Sequence, residues 1–339
     1  VSARVRWAVL AVAALVVVLL PHVVRSTYVL STLVFVAINA LAAVGLTLVM
    51  GFAGQVSLGQ AAFYAIGAYA SGVLTASYGW NPWAAMAVAV GAGALTAFAV
   101  GLPIFRLAGL LLAMATLGFG IIVYYVLVNW AAVTGGPSGL TGIPPLTIAG
   151  VALSTDARFV PVAWIAVLIV LGLGGNLVDS RVGRALRAIH GSEPAAEAAG
   201  IDVTRMKLAV FSLAGGITAL AGSLYAHYLT VINPSPFSFG YSVELVLMVV
   251  VGGVASLWGA VLGAFAVVVL VEALRTVLPL IAVSHGAAEY EIVVFGLVLM
   301  VLMIVAPGGL TGLRLGFGPD RLSPGRTPQP RSAPTAGTA

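Results

Sequence analysis

The chain has no cysteine in its 339 residues. That excludes disulfides, zinc–thiolate sites, iron–sulfur clusters and cysteine nucleophiles. Lysine occurs once, in Met206-Lys207-Leu208, and no Gly-x-x-x-x-Gly-Lys-Ser/Thr run exists. Without that phosphate cradle the chain carries no recognisable ATPase of its own. It also has no His-Glu-x-x-His, no Gly-x-Ser-x-Gly and no pair of central aspartates, so an intramembrane hydrolase has no motif to run on. Charge is scarce altogether, at 7% of residues against roughly 25% for ordinary soluble domains. The reading is a non-enzyme that binds no cofactor, no metal and no nucleic acid.

What remains is apolar. Hydrophobic residues make up 61% of the chain, more than a soluble surface can cover, so the excess must face lipid. Glycine is abundant at 41 residues, and in membrane helices it marks close packing of neighbours. The expected fold class is an all-α integral membrane protein.

A helix needs about 20 apolar residues to cross the hydrocarbon core. Ten runs qualify: 7–24, 28–50, 57–77, 83–102, 110–133, 159–178, 208–230, 241–258, 259–280 and 290–306. The first is expected to be retained, because Pro21, His22 and Arg25 follow it where a signal peptide needs a small-residue cleavage site. Runs 57–77 and 83–102 carry many small residues and are the candidates for broken or re-entrant spans, which are allowed only where protein or water satisfies the backbone. The organisation expected is a short N-terminus (1–6), a transmembrane domain (7–306) interrupted by a polar loop (179–207), and a tail (307–339). From Gly318 onward that tail is rich in Pro, Ser, Thr and Arg and predicts disorder.

Charge placement supports an even number of spans with both termini in the cytoplasm. Alternating sides from a cytoplasmic N-terminus puts twelve of the fifteen basic residues inside, leaving Arg25, Arg158 and Arg275 at or near the outer face. The positive-inside rule produces this asymmetry.

The loop 179–207 is the one long polar segment before the tail. Arg181, Arg184 and Arg187 share a helical face, as a stripe on phospholipid headgroups would. Ser192 or Glu193 caps a short helix opened by Pro194, Gly200 ends it, and Asp202 caps the helix entering the next span. A short helix of small residues held between two spans suits docking into a partner's groove. An ordinary structured loop has the same pattern.

Within the spans, Gln55, Ser57, Gln60 and Tyr64 form a polar cluster. The last three are spaced for one helical face, and Asn39 and Asn129 are further polar candidates. Such side chains line a path for a polar solute or glue helices together. Ala68 with Gly72, and Gly259 with Gly263, are small-xxx-small pairs that predict helix packing. An ion-coupled secondary transporter is the alternative class, and it needs ionisable groups at mid-membrane. Glu244 lies near the outer end of its run, Glu272 and Arg275 pair at i,i+3, and His227 reads as interfacial, so the alternative has little to work with.

Several segments together resemble a known family. Residues 197–200 (Glu-Ala-Ala-Gly) are similar to the loop with which ABC importer permeases contact their ATPase. Residues 51–63, 112–120, 134–140, 221–228, 252–259 and 306–310, in that order, resemble the signature segments of branched-chain amino acid permeases, nearest to the LivM-type subunit. The acidic run that precedes the loop in the family is reduced here to Glu193. The resemblance implies a heterodimeric pore with a second homologous permease, two cytoplasmic ATPase subunits that use the ATP, and a periplasmic or extracellular substrate-binding protein. It implies a bacterial inner-membrane location and an ATPase-contact surface at Arg184, Arg187, Glu193, Glu197, Ala198, Ala199 and Gly200. It also implies leucine, isoleucine and valine as substrates, with urea, amides or other amino acids carried by related permeases. Ten spans resemble vitamin B12-type permeases more than smaller five- or six-helix cores.

Overall fold

The computed structural model describes residues 3–24, 26–107, 109–281, 296–297, 300 and 309–311. Arg25, most of the run 290–306 and nearly all of the tail lie outside these residues. Twelve α-helices order the described chain: α1 (Ala3–Val23), α2 (Thr27–Thr47), α3 (Gln60–Ala76), α4 (Pro82–Ile104), α5 (Leu110–Asn129) and α6 (Ala131–Thr134), then α7 (Asp156–Asp179), α8 (Arg181–Gly191), α9 (Glu193–Ala198), α10 (Val203–Leu229), α11 (Phe239–Gly252) and α12 (Leu257–Ile281). One two-stranded hairpin, β1 (Thr147–Ile148) against β2 (Val151–Ala152), interrupts them.

Six helical segments among the described residues are long and apolar enough to cross a membrane: Thr27–Phe52, α4, α5, α7, α10 and Leu257–Thr276. Two shorter apolar segments, Leu10–Val23 and Phe239–Gly252, accompany them. The ten expected runs therefore resolve unequally. The run 83–102 is one unbroken helix, begun by Pro82 at its first turn and by Asn81, whose side chain accepts the Trp83 amide at 2.9 Å. The run 57–77 starts late, at Gln60, because α2 first widens into a π-turn (Leu48–Phe52) and the chain then runs non-helically to Gly59. The run 241–258 is cut at Gly252 to 14 residues, and 110–133 ends at Asn129 before a separate single turn.

The core forms around α2, 78% buried along its apolar window and packed by α7, α10, α11 and α12. The α5 window is only 22% buried and turns Leu110, Leu111, Met114, Ile122 and Tyr125 outward, the surface a lipid or partner helix covers. Small residues bring backbones together where the packing is closest. A Cβ on Gly67 would strike Ala219, and Gly93 and Gly215 face each other between α4 and α10 with the Gly215 carbonyl 2.9 Å from a Cβ at Gly93.

At the end of the bundle away from the 180–202 loop, His227 is fully buried among protein groups. Its Nδ1–H donates to the Pro144 carbonyl at 2.8 Å, which leaves Nε2 to accept from Ser71 Oγ at 2.7 Å. A buried imidazole keeps its place only when both nitrogens are used. Leu140 and Ile232 exchange backbone bonds beside it, fastening the connection between α6 and α7 to the segment after α10.

Candidate functional site

Two neighbouring regions carry the polar chemistry of the bundle. The first is the break between α2 and α3. Gln55, Ser57 and Gln60 are all buried there, although the backbone from Ala53 to Gly59 makes no regular structure. Part of the broken ladder is repaired locally. Gln55 N–H donates to the Val49 carbonyl at 3.1 Å, Leu58 N–H to Thr116 Oγ1 at 3.1 Å, and Ala61 N–H to Ser242 Oγ at 3.0 Å. Gln60 Oε1 accepts Thr218 Oγ1–H at 2.9 Å.

The rest is not repaired within the chain. Both polar atoms of the Gln55 amide, Ser57 Oγ, Gln60 Nε2 and Thr47 Oγ1 are buried without a hydrogen-bond partner. Leaving one such group unsatisfied costs about 1–3 kcal/mol. Five of them within fourteen residues is a concentration that packing alone does not explain. Non-helical backbone at membrane depth is tolerated where it lines a polar cavity or an interface.

Gln60 and Tyr64 share a face of α3 as expected, but Ser57 precedes the helix, so the expected three-residue face is only partly formed. Tyr64 enters an aromatic group with Tyr241 (ring centroids 4.7 Å), Tyr225 and Phe237 (both 5.5 Å). Tyr241 donates its hydroxyl to Asn39 Oδ1 at 2.9 Å. Asn39 thus belongs to the polar region, whereas Asn129 does not. The Asn129 side chain is exposed at the end of α5 and donates to the Tyr125 carbonyl at 2.7 Å. Position along α2 gave no signal that Asn39 would meet Tyr241, 202 residues away in sequence. A cavity of about 170 Å³ continues from Asn39 past Glu244 to Thr32, Glu272 and Arg275. Glu272 and Arg275 form the expected pair there, at 3.9 Å.

The small-residue pairs divide in the same way. Gly259 and Gly263 bring α12 against α11, with the Gly252 carbonyl 2.7 Å from a Cβ at Gly259. Ala68 lies against Gly222 of α10. Gly72 instead faces Ile143, Leu140 and Ile232, so it accommodates a connecting segment and not a helix.

The second region is the loop between α7 and α10. Ser180 caps α8 and Asp202 caps α10, the latter by accepting Arg205 N–H at 3.0 Å, while Ser192 accepts Ala195 N–H at 3.4 Å. The basic stripe lies on the exposed face of α8, and Gly183, Leu186 and Ile189 form the buried one. Arg184 and Arg187 donate to the Asp179 and Val178 carbonyls at 3.4 and 3.0 Å, tying α8 to the last turn of α7. Ile189, Ala196 and Val203 close a small core of their own. Glu193, itself half exposed, meets the buried Lys207 at 2.6 Å, so its carboxylate braces the loop to α10. Glu197, Ala198, Ala199 and Gly200 remain exposed. Gly200 takes φ +82°, a conformation that excludes most side chains, with nothing near the position a Cβ would take. The outcome is a short exposed turn on a stiff frame.

The regions meet around a cavity of about 870 Å³ lined by Gly51, Asp179, Arg187, His190, Ser256 and Trp258, among others. Three of the segments that carried the family resemblance converge beside it. A Cβ on Gly51 would land on the Val254 carbonyl, and the 309–311 segment donates from Leu310 N–H to the Val251 carbonyl at 2.7 Å.

The chain is 32% identical to the high-affinity branched-chain amino acid transport system permease protein LivM of Escherichia coli, over 84% of this chain and 70% of that protein. The LivM of Salmonella typhimurium is also 32% identical, over 78% of this chain and 66% of that protein. The permease protein LivH of Salmonella typhimurium is 27% identical over 80% of this chain and 91% of that protein. No solved structure shows a significant match. The family described as branched-chain amino acid transport system / permease component matches residues 28–304, and the chain belongs to that family.

Proposed function

We propose that this multi-pass membrane protein is the permease subunit of an ATP-driven ABC importer and moves branched-chain amino acids inward by alternating access. The observation that carries the reading is the exposed 197–200 turn on its own small core, braced to α10 by Glu193 and Lys207. A chain with no phosphate-binding loop draws its energy from another subunit, and this turn is built to receive that subunit.

In this reading two ATPase subunits dock on the loop from the cytoplasm, where both termini also lie, in the inner membrane of a bacterium. A second, homologous permease completes the pore against the open side of α5. A substrate-binding protein delivers the amino acid at the opposite face. Gln55, Ser57, Gln60 and Tyr64, joined by Asn39, contribute to the path. The unfilled hydrogen-bonding capacity of Gln55, Ser57 and Gln60 solvates the ammonium and carboxylate of a zwitterion without a fixed charge in the way. The reading keeps a many-helix permease resembling the vitamin B12 type, in which the two shorter apolar helices, Leu10–Val23 and Phe239–Gly252, add to the six long ones among the described residues.

Radiolabelled leucine uptake into proteoliposomes holding both permeases and the ATPases tests this. The expected uptake requires ATP and is stimulated by the binding protein. Uptake by this chain alone, driven by an ion gradient and indifferent to ATP, would overturn it.

A further inference from the structure

The cytoplasmic loop and the α2–α3 break are joined by one side chain. His190, on the last turn of α8, places Nδ1 at 3.0 Å from the Gly51 carbonyl. A carbonyl only accepts, so the ring donates from Nδ1. The bond spans 139 residues of sequence. It ends on the backbone of the π-turn, where the ordinary ladder of α2 has already been given up. The imidazole also lies against the next glycine of the break, because a Cβ at Gly54 would sit 3.2 Å from His190 Cγ. The rest of the ring is open to the 870 Å³ cavity, so His190 adds little to the core.

We propose that His190 is a positioning residue that ties the loop to the break, so that movement of α8 carries residues 51–60 with it. Three features make this bond a transmitter. Its near end is rigid, because Ile189 beside it is buried in the loop's own core and Arg187 is bonded to the end of α7. Its far end lies in the π-turn that closes α2, directly before the non-helical backbone from Ala53 to Gly59. Beyond the far end stand Gln55, Ser57 and Gln60 with their unpartnered atoms, the groups most altered by a small displacement. Gly51 also abuts Val254, so the same pull reaches the α11–α12 break.

The proposal rests on the reading of the chain as an ATP-driven permease. The test uses the assembled complex of both permeases and ATPases in proteoliposomes with saturating binding protein, reading leucine uptake and ATP hydrolysis in the same vesicles. His190→Leu keeps bulk against Gly54 and removes the donor, while His190→Asn keeps a donor at a similar position. The expected result is leucine carried per ATP hydrolysed reduced by about fivefold or more in His190→Leu, and restored in His190→Asn. Equal coupling in His190→Leu and wild type would overturn the proposal. So would equal loss in both variants, or failure of the Leu variant alone to assemble, which would make the residue part of the docking surface. A wild-type complex without ATP-dependent uptake would instead sink the permease reading itself, and the two failures are thereby told apart.

Discussion

The break after α2 and the loop after α7 are both departures from helix, yet they treat their polar groups in opposite ways. The loop satisfies its own: Ser180, Ser192 and Asp202 cap three helix starts, two arginines bond the end of α7, and Glu193 meets Lys207. The break leaves five buried polar atoms without partners. The exposed segment is thus the stiff one and the buried segment the one with capacity to spare. A part that transmits force has to hold its shape, whereas a part that passes a polar solute has to offer bonds it is not already using. In the proposed mechanism the loop is therefore the lever and the break the path.

The largest effect is expected where the break is held together sterically. Gly51→Val drives a side chain into the Val254 carbonyl, and destabilisation of about 3 kcal/mol or more is expected. Thermal unfolding in detergent, followed by tryptophan fluorescence, measures it. A normal midpoint would mean that the two breaks are not in contact.

Gly200→Val addresses the lever. The site is open, so the strain comes from φ +82° alone, about 1–3 kcal/mol confined to an exposed turn. Insertion and unfolding midpoint are expected to stay near wild type while uptake falls and ATP hydrolysis persists. Gly200→Asn, which tolerates that conformation, is expected to keep uptake. Normal coupling in the valine variant would remove the turn from the mechanism.

Gln60→Leu separates path from glue. Its amide nitrogen is unpartnered and its oxygen accepts one hydroxyl, so the change in stability is expected to stay within about 1 kcal/mol. Uptake is expected to drop several-fold nonetheless. Clear destabilisation with unchanged transport per assembled complex would assign Gln60 to packing.

Asp202→Ala removes a cap and should cost about 1 kcal/mol, visible as faster amide exchange in the first turn of α10. The smallest effect belongs to Asn129→Ala, which is expected to change neither uptake nor stability by more than about 0.5 kcal/mol. A strong transport defect there would return Asn129 to the path.

Helix positions were legible because hydropathy and caps are local signals: α4, α7 and α10 begin at Pro82, Asp156 and Val203, within a few residues of the apolar runs. The break was only half legible. Small residues flagged 57–77, but the π-turn follows from tertiary contacts of Gly51 and Gly59 that no window of sequence contains. Arg184 and Arg187 were visible as a stripe, yet their bonds to the α7 carbonyls depend on how sharply the chain turns at Ser180. Asn39 and Asn129 looked alike in sequence, and only the fold brings Tyr241 to one of them.

The assignment of path to the break is tested most directly at Ser57. Since the chain has no cysteine, Ser57→Cys places one near-isosteric thiol at the buried segment. Its reaction with a small hydrophilic thiol reagent is followed in the assembled, ATP-turning complex, with and without binding protein loaded with leucine. The account predicts a thiol that reacts during turnover and is slowed when leucine is being delivered. A thiol that never reacts, or reacts equally with and without leucine, would contradict it.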